Sequence, residues 1–293
     1  MTRFGVQYPN ERAMSGGSAG SGLKVRLIIA VVIALFAVVS YYGRPGDENQ
    51  ITGEKQRVAM TEEADEIQMG LASRREMAAQ FGGPDPDPQA QALVKKIGEE
   101  LLTALDNSLE PGGRSNPYRQ NFSFTLLADP KTVNAFALPG GQIFVTHALF
   151  RDLETEGQLA GVLGHEIGHV IERHSNQQMA KQGFLQGLAA AGGVVGGDQQ
   201  SMRMAQVAAQ MASMKYGRDD ELESDQWGVR LMAMAGYDPR SMIGVMKVLE
   251  RASGGGGQPE FMSTHPSPAN REQHIEEMIA KEFPKGVPAD LKK

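Results

Sequence analysis

The chain has 293 residues, with 29 Lys and Arg against 35 Asp and Glu, six His and no Cys. Apolar residues make up 41% and charged residues 22%, the balance of a globular chain long enough for one large domain or two small ones. A net charge of −6 offers no cation excess to release counterions from a phosphate backbone, so no nucleic acid partner is expected. Without Cys there are no disulfides, thiol nucleophiles, thiolate metal sites or lipidated Cys anchors, and any metal must be held by His, Asp and Glu.

Residues 1–24 are polar and Gly/Ser-rich, and read as a disordered tail. Leu27 to Val39 is unbroken apolar sequence. A helix over 25–42 is about 27 Å long at 1.5 Å per residue, close to a hydrocarbon core of roughly 30 Å. Tyr41 and Tyr42 stand where an aromatic interface anchor belongs. A cleaved signal peptide has an apolar stretch of similar length, but Val38, Val39 and Ser40 before Tyr41 give no clean A-x-A site, which favours an uncleaved anchor. Arg3, Arg12, Lys24 and Arg26 precede the segment, and Asp47 and Glu48 follow it beside Arg44. The positive-inside rule then retains the N-terminus in the cytoplasm and exports the bulk of the chain.

Residues 43–54 read as a linker and 284–293 as a C-terminal tail, with one domain over 55–283. Thr61 is placed to cap a helix with Glu62, Glu63 and Asp65 in its first turn, and Ile67 and Leu71 on one face. Phe81 to Pro88 is a Gly/Pro/Asp breaker, and Asp87-Pro88 opens a helix with Leu93, Ile97 and Leu101 in register. Pro111 to Pro117 is a loop and Phe122 to Leu127 a strand. Val133 to Leu138, Pro139-Gly140-Gly141 and Gln142 to Thr146 form a strand, turn and strand. The remainder reads as mostly helical.

His165-Glu166-Ile167-Gly168-His169 is an H-E-x-x-H pattern inside a run with helical apolar spacing from Leu159 to Ile171. Positions i and i+4 lie about 40° apart on a helix, so both imidazoles face one point. Zinc held by neutral His keeps an open position for chemistry. Glu166, one residue round, is placed to act as general base on the attacking water and to pass its proton to a leaving amine. A third ligand must come from elsewhere. The metzincin pattern needs Gly at position 172 and His at position 175, where this chain has Glu172 and Ser175. On a continuous helix His174 lies about 180° from His165 and points away, as a packing or surface residue. The acidic helix start at Arg218-Asp219-Asp220-Glu221-Leu222-Glu223-Ser224-Asp225 supplies Glu221 and Asp225 at i and i+4. One can ligate the metal and the other can accept the second ring N–H of a ligand His.

Three segments together resemble the zinc peptidases related to CAAX prenyl proteases, of gluzincin type. They are His165 to Ser175, Asn134-Ala135-Phe136-Ala137-Leu138-Pro139-Gly140-Gly141 upstream, and the E-x-x-[A]-D run downstream, in the family's order. The chain is most similar to the bacterial soluble or singly anchored branch, the zinc-dependent proteases with chaperone function, from about Glu54 to Arg271. The resemblance implies one Zn²⁺ per chain on His165, His169 and Glu221, with Glu166 as catalytic base and Asp225 behind a ligand. Ser224 stands where Ala is usual and Gly217 where a Ser often precedes the Arg, both small. Glu223 is the alternative ligand.

The resemblance also implies that the strand from Asn134, Ala135 and Phe136 lines the cleft, where an extended peptide could pair with its backbone. An ordinary hairpin reads the same way. His265, in Ser263-Thr264-His265-Pro266 after Gly254 to Gly257, has three possible roles: catalytic donor to the oxyanion, occupant of the open zinc position, or structural loop residue. The family carries such a T-H-P segment with an Arg after it, here Arg271. His147 and His274 read as structural or surface residues. Gly183 to Gly197 is small, apolar and too short to span, either close helix packing or a lid or membrane-touching loop. Met202, Met204, Met211 and Met214 read as adaptable core.

The expected fold is α+β and mainly helical: a zincin-like domain with a small sheet beside the active-site helix, plus one N-terminal transmembrane helix. The expected function is a membrane-anchored zinc endopeptidase acting on unfolded or misassembled envelope proteins. Its expected location is the bacterial inner membrane, single-pass, with the catalytic domain periplasmic. The alternative is a gated or weakly active zinc protein that serves mainly as a chaperone-like binding factor.

Overall fold

The computed structural model describes residues 19–43, 45–109, 113–196, 216–253, 260–265 and 270–293. The tail over 1–18, the Met-rich run from Met202 to Met214, Gly254 to Gly257 and Pro266 lie outside the described residues.

Helix α1 (Ala19–Tyr42) begins at Ala19, ahead of the expected 25–42, because extending a nucleated helix by a few residues costs little. A two-stranded ribbon of β1 (Asp47–Glu48) and β2 (Lys55–Gln56) follows, antiparallel. Helix α2 (Glu63–Gln80) starts later than Thr61 suggested, and Glu62 at its N-cap makes no side-chain cap. Asn176 Oδ1 takes the N–H groups of Ala59 and Met60 at 2.8 Å each and holds the chain extended up to this point. The acids Glu63, Asp65 and Glu66 still fill the first turn. Glu66 and Gly70 form the buried face of α2, and Leu71 is exposed where it was expected to pair with Ile67. Gly70 lies so close to the Pro139 carbonyl that a Cβ there would sit 2.0 Å from its oxygen.

Asp87 Oδ1 caps α3 (Pro88–Leu109) through the N–H groups of Gln89 and Ala90. Val94, Ile97, Leu101, Leu102 and Leu105 are fully buried at helical spacing, each contributing about 1.5–3 kcal/mol of apolar burial. Strands β3 (Ser123–Leu127), β4 (Ala135–Leu138) and β5 (Gln142–Thr146) form a sheet in the order β3-β5-β4. β3 runs parallel to β5, with Ser123 opposite Gln142, and β4 runs antiparallel to it, with Ala135 opposite Val145. Gly140 and Gly141 at φ +79° and +106° make the β4–β5 turn, a backbone region that L side chains rarely adopt. β3 and β4 are the two edge strands of this sheet.

After α4 (His147–Asp152) comes α5 (Glu156–Ile171), capped by Thr155 Oγ1 and buried from Gly157 to its end. It is the central helix, packed between α3, the sheet, α7 (Arg218–Met234) and α8 (Ser241–Ser253). Small residues set its distance from α7. A Cβ on Gly164 would lie 3.1 Å from the Cα of Gly228, and one on Gly168 would lie 2.9 Å from the Cα of Ser224. The two helices therefore touch backbone to backbone, and the side chains flanking Ser224 reach the flank of α5.

At the end of α5 the chain turns sharply at Arg173, which has φ 58°. Its guanidinium is buried against Glu66, with Nε at 2.7 Å, against Asp47 and against the Met60 carbonyl at 2.9 Å. These bonds stabilise a backbone conformation that disfavours a bulky residue by about 1–2 kcal/mol. Helix α6 (His174–Gly196) then leaves the core and lies along α1. The short α9 (Glu260–Thr264) and α10 (Arg271–Glu282) follow, and the segment after α10 returns to the domain, where the Lys292 backbone pairs with Gly236 and Asp238.

Candidate metal centre

The close α5–α7 crossing brings His165 and His169 on α5 to Glu221 and Asp225 on α7, and all four are buried. His165 Nε2 and His169 Nε2 are 3.1 Å apart. Glu221 lies 3.6 Å from the first through Oε2 and 3.5 Å from the second through Oε1. His265, just past α9, adds Nδ1 at 3.0 Å from Glu221 Oε1, 3.1 Å from His169 Nε2 and 3.4 Å from His165 Nε2. The phenyl ring of Phe261 stacks on His265 at 4.5 Å.

These four atoms match a tetrahedral divalent-cation site. Bonds of about 2.0–2.1 Å to zinc imply ligand–ligand edges of about 3.3–3.4 Å; with both Glu221 oxygens counted the separations run from 3.0 to 3.6 Å, and one ligand atom from each residue lies within 4.8 Å of the others. The outer ring atoms point to the same conclusion. Asp225 Oδ1 accepts from Nδ1 of His165 at 2.9 Å, which leaves Nε2 as a lone pair facing inward. Nδ1 of His169 is engaged by His174 Nδ1 at 2.9 Å, so its Nε2 faces inward too. Converging lone pairs at hydrogen-bond distance repel unless a cation lies between them. Glu221 Oε2 is buried with no hydrogen-bond partner, which fits the same role. The donor set contains only N and O atoms, as zinc accepts.

The electrostatics favour ligation. Burial pushes the His169 imidazole well below its ordinary range, and the neighbouring His165 and His265 push the same way, so it is neutral. Burial opposes ionisation of Glu221, but the imidazoles of His169, His265 and His165 around it outweigh burial and hold the carboxyl below the usual range. Asp225 is likewise held low against burial, by the Arg271 guanidinium first and then by His165. Glu166 is fully buried, neither of its oxygens has a hydrogen-bond partner, and burial raises its pKa. Its Oε1 lies 3.7 Å from His265 Nε2.

The structure thus gathers Glu166, His165, His169, Glu221, Asp225 and His265 into one cluster. Asn134 precedes the edge strand β4, Ala135 and Phe136 begin it, and its far end with Pro139 beyond it borders His169 through Ala137 and Leu138. Phe136 packs on Phe144 and Phe81 at 5.0 and 5.2 Å. Three features departed from sequence reasoning or escaped it. His174 was expected to point away, yet the turn at Arg173 starts a new helix and folds its ring behind His169. Glu223, the alternative ligand, instead meets His174 Nε2 at 3.1 Å. Tyr216 lies face to face with the His169 ring at 4.2 Å and bonds Ser175 through its hydroxyl at 2.9 Å. Nothing in the sequence around Arg173, which has neither Gly nor Pro beside it, signals the turn.

A model of peptidase family M48 matches residues 88–279. The β-barrel assembly-enhancing protease of Escherichia coli K12 is 31% identical over 206 residues, covering 62% of this chain and 40% of that protein. Metalloprotease YcaL of the same organism is 31% identical over 203 residues, covering 67% of this chain and 75% of that protein. The mitochondrial metalloendopeptidase OMA1 of Arabidopsis thaliana is 32% identical over 146 residues, half of this chain and 29% of that one. The chain therefore spans about 40% of the length of the β-barrel assembly-enhancing proteases that it matches.

Proposed function

The chain belongs to peptidase family M48 and is by class a zinc metalloendopeptidase; from that premise we propose that it hydrolyses misfolded or misassembled envelope proteins while anchored in the bacterial inner membrane by α1. One observation carries the reading: the unpartnered carboxylate of Glu166 stands beside a buried His165–His169–Glu221 donor set. The relatives named β-barrel assembly-enhancing protease support an envelope substrate. The apolar exposed surface of α1 supports the anchor, and the positive charges that precede it in sequence, Arg3, Arg12, Lys24 and Arg26, support a cytoplasmic N-terminus with a periplasmic peptidase domain. The motif resemblance supports placement in the singly anchored, CAAX-protease-related branch.

His165, His169 and Glu221 would hold the zinc. When bound, zinc supplies Lewis acidity, which activates a scissile carbonyl and acidifies a water. Glu166 accepts the proton of the attacking water on a carboxylate oxygen that has no hydrogen-bond partner, then delivers it to the departing amine nitrogen. Asp225 fixes the tautomer and angle of His165. The outer edge of β4 offers backbone N–H and C=O groups for an extended substrate, from Ala135 and Phe136 toward the His169 end, while the Asn134 backbone, expected to take part, is already paired with Thr146.

A second reading rests on His265. Its Nδ1 lies 3.1 Å from His169 Nε2 and 3.0 Å from Glu221 Oε1, where it would occupy the position that a substrate needs on a bound zinc, which supports reading this arrangement as a closed, resting form. The residue then acts as a gate and not as an oxyanion donor, and with the gate shut the chain serves as a chaperone-like binding factor. The test is cleavage of unfolded casein by the zinc-loaded protein, with and without chelator, as wild type, Glu166→Gln and His265→Ala. The peptidase reading expects chelator-sensitive cleavage that disappears in Glu166→Gln. The gate expects faster cleavage in His265→Ala. Cleavage that survives Glu166→Gln contradicts the first reading, and slower cleavage in His265→Ala contradicts the second.

A further inference from the structure

We propose that the second half of α6, from Phe184 to Val195, is itself embedded in the membrane as a re-entrant helix paired antiparallel with α1. This extends the anchor reading of α1 and rests on it.

α1 has one covered face. Ala30 and Ala37 are its buried residues, and Ile33, Ala34, Ser40 and Tyr41 are half-buried. They recur at i, i+3, i+4, i+7, i+10 and i+11, one side of a helix. Val31, Val32, Leu35, Phe36, Val38 and Val39 on the other sides are exposed. Small residues such as Ala30, Ala34, Ala37 and Ser40 on one face of an otherwise bulky apolar helix are how membrane helices approach each other closely.

α6 covers that face, and in antiparallel order. Phe184 stacks on Tyr41 at 4.8 Å and meets Tyr42 edge-on at 5.6 Å. One turn later, a Cβ on Gly187 would lie 2.8 Å from the Cβ of Ala37. Ala191 is buried another turn on. As α6 advances, α1 is therefore met progressively nearer its cytoplasmic end. Arg57, 5.8 and 5.2 Å from the Tyr41 and Tyr42 rings, marks the headgroup level of this junction.

Geometry forces the conclusion. If α1 spans the bilayer, Ala37 lies inside the hydrocarbon, and a residue in contact with Ala37 lies there too. The α6 sequence suits that environment: from Gly183 to Gly196 its one polar side chain is Gln186. Phe184 to Gly196 is about 18 Å long at 1.5 Å per residue, slightly more than one leaflet's share of a roughly 30 Å core. The helix can enter but not cross, and a tilt keeps it within the outer leaflet.

The consequence concerns substrate. α6 begins at His174, whose ring touches the ligand His169, and Phe184 lies ten residues further on. The metal centre is thus held at most about 15 Å outside the interface, by a helix continuous with the site. The substrates that fit are the extracytoplasmic segments of membrane proteins close to the bilayer surface.

The chain has no Cys, so single-cysteine variants of the full chain report position directly. Lys181→Cys, Val32→Cys and Val195→Cys would be reconstituted in phosphatidylethanolamine/phosphatidylglycerol vesicles and treated with a membrane-impermeant maleimide, scoring the outward-facing fraction. Val195 is 38% exposed in the protein alone, so protection of that site comes from lipid. The expected result is rapid labelling of Lys181→Cys and at least tenfold slower labelling of the other two. Fast labelling of Val195→Cys with Val32→Cys protected overturns the re-entrant helix and leaves the anchor standing. Fast labelling of both overturns the anchor as well. The pair Ala37→Cys with Gly187→Cys should cross-link within one chain on oxidation, and failure to do so overturns the pairing.

Discussion

Arg271 grips Asp225 with two parallel hydrogen bonds, Nε to Oδ2 at 2.7 Å and Nη2 to Oδ1 at 2.8 Å, and Asp225 in turn holds Nδ1 of His165 at 2.9 Å. All three residues are buried, so the first residue of α10 helps to aim an imidazole on α5. Arg271→Ala leaves the Asp225 charge buried and short of its partner, a loss of about 3–5 kcal/mol in stability. Zinc affinity should fall about 10- to 100-fold. Arg271→Lys keeps the charge without the fork and should lie between. Chelator competition and thermal unfolding measure both effects. Unchanged zinc affinity in Arg271→Ala would show that Asp225 orients His165 unaided.

His169 is backed by a second relay, through His174 to Glu223. His174→Ala removes the group that fixes the His169 tautomer and should weaken zinc binding at least tenfold. Glu223→Gln should weaken it less, since that carboxylate is one contact further out and half-exposed. Equal losses in the two variants would mean that Glu223, and not His174, governs the relay.

The α5–α7 crossing depends on the absence of side chains at the contact. Gly168→Ala places a methyl 2.9 Å from the Cα of Ser224, a backbone atom that no rotamer change can move. The helices must separate, costing about 1–3 kcal/mol and drawing Glu221 away from His165 and His169. Ser224→Gly should not rescue the variant. Calorimetry together with the zinc content of the purified protein checks this, and a wild-type melting point with full zinc would refute it.

Glu172 gives a pH signature apart from the metal ligands. Burial, aided by the Glu223 charge and resisted by the Trp227 hydrogen bond, pushes its carboxyl up from 4.5 to about 7. The folded state therefore favours the neutral form. The stability that this contributes is complete below pH 4.5 and is lost as pH rises through about 7, a change of about 3 kcal/mol. The stability difference between wild type and Glu172→Gln, from denaturant titrations at several pH values, should move in that window and be flat above it. A difference that does not vary with pH would contradict the assignment.

The parts of this architecture that follow local rules were readable in the sequence. Asp87-Pro88 opens α3, Pro139-Gly140-Gly141 turns β4 into β5, and the spacing of His165 and His169 places both rings on one side of α5. Glu221 and Asp225 were recognisable as two carboxylates on one face, but which one reaches the ligand atoms depends on how closely α7 approaches α5. That distance is set by Gly164, Gly168, Ser224 and Gly228, a tertiary effect no single helix displays. The turn at Arg173 was invisible for a related reason: its left-handed backbone is held by Asp47 and Glu66, both more than a hundred residues earlier. Gly183 to Gly197 showed its small, apolar character in sequence, whereas its course along α1 requires the path of both helices.

The most direct test of the metal centre is the metal content of the 293-residue chain, purified in detergent without chelator and measured by elemental analysis. Wild type should carry one zinc per chain, and Glu166→Gln should carry the same. His165→Ala, His169→Ala and Glu221→Ala should each lose nearly all of it. Full zinc occupancy in Glu221→Ala, or none in the wild type under zinc supplementation, would contradict the assignment of these residues as the metal site.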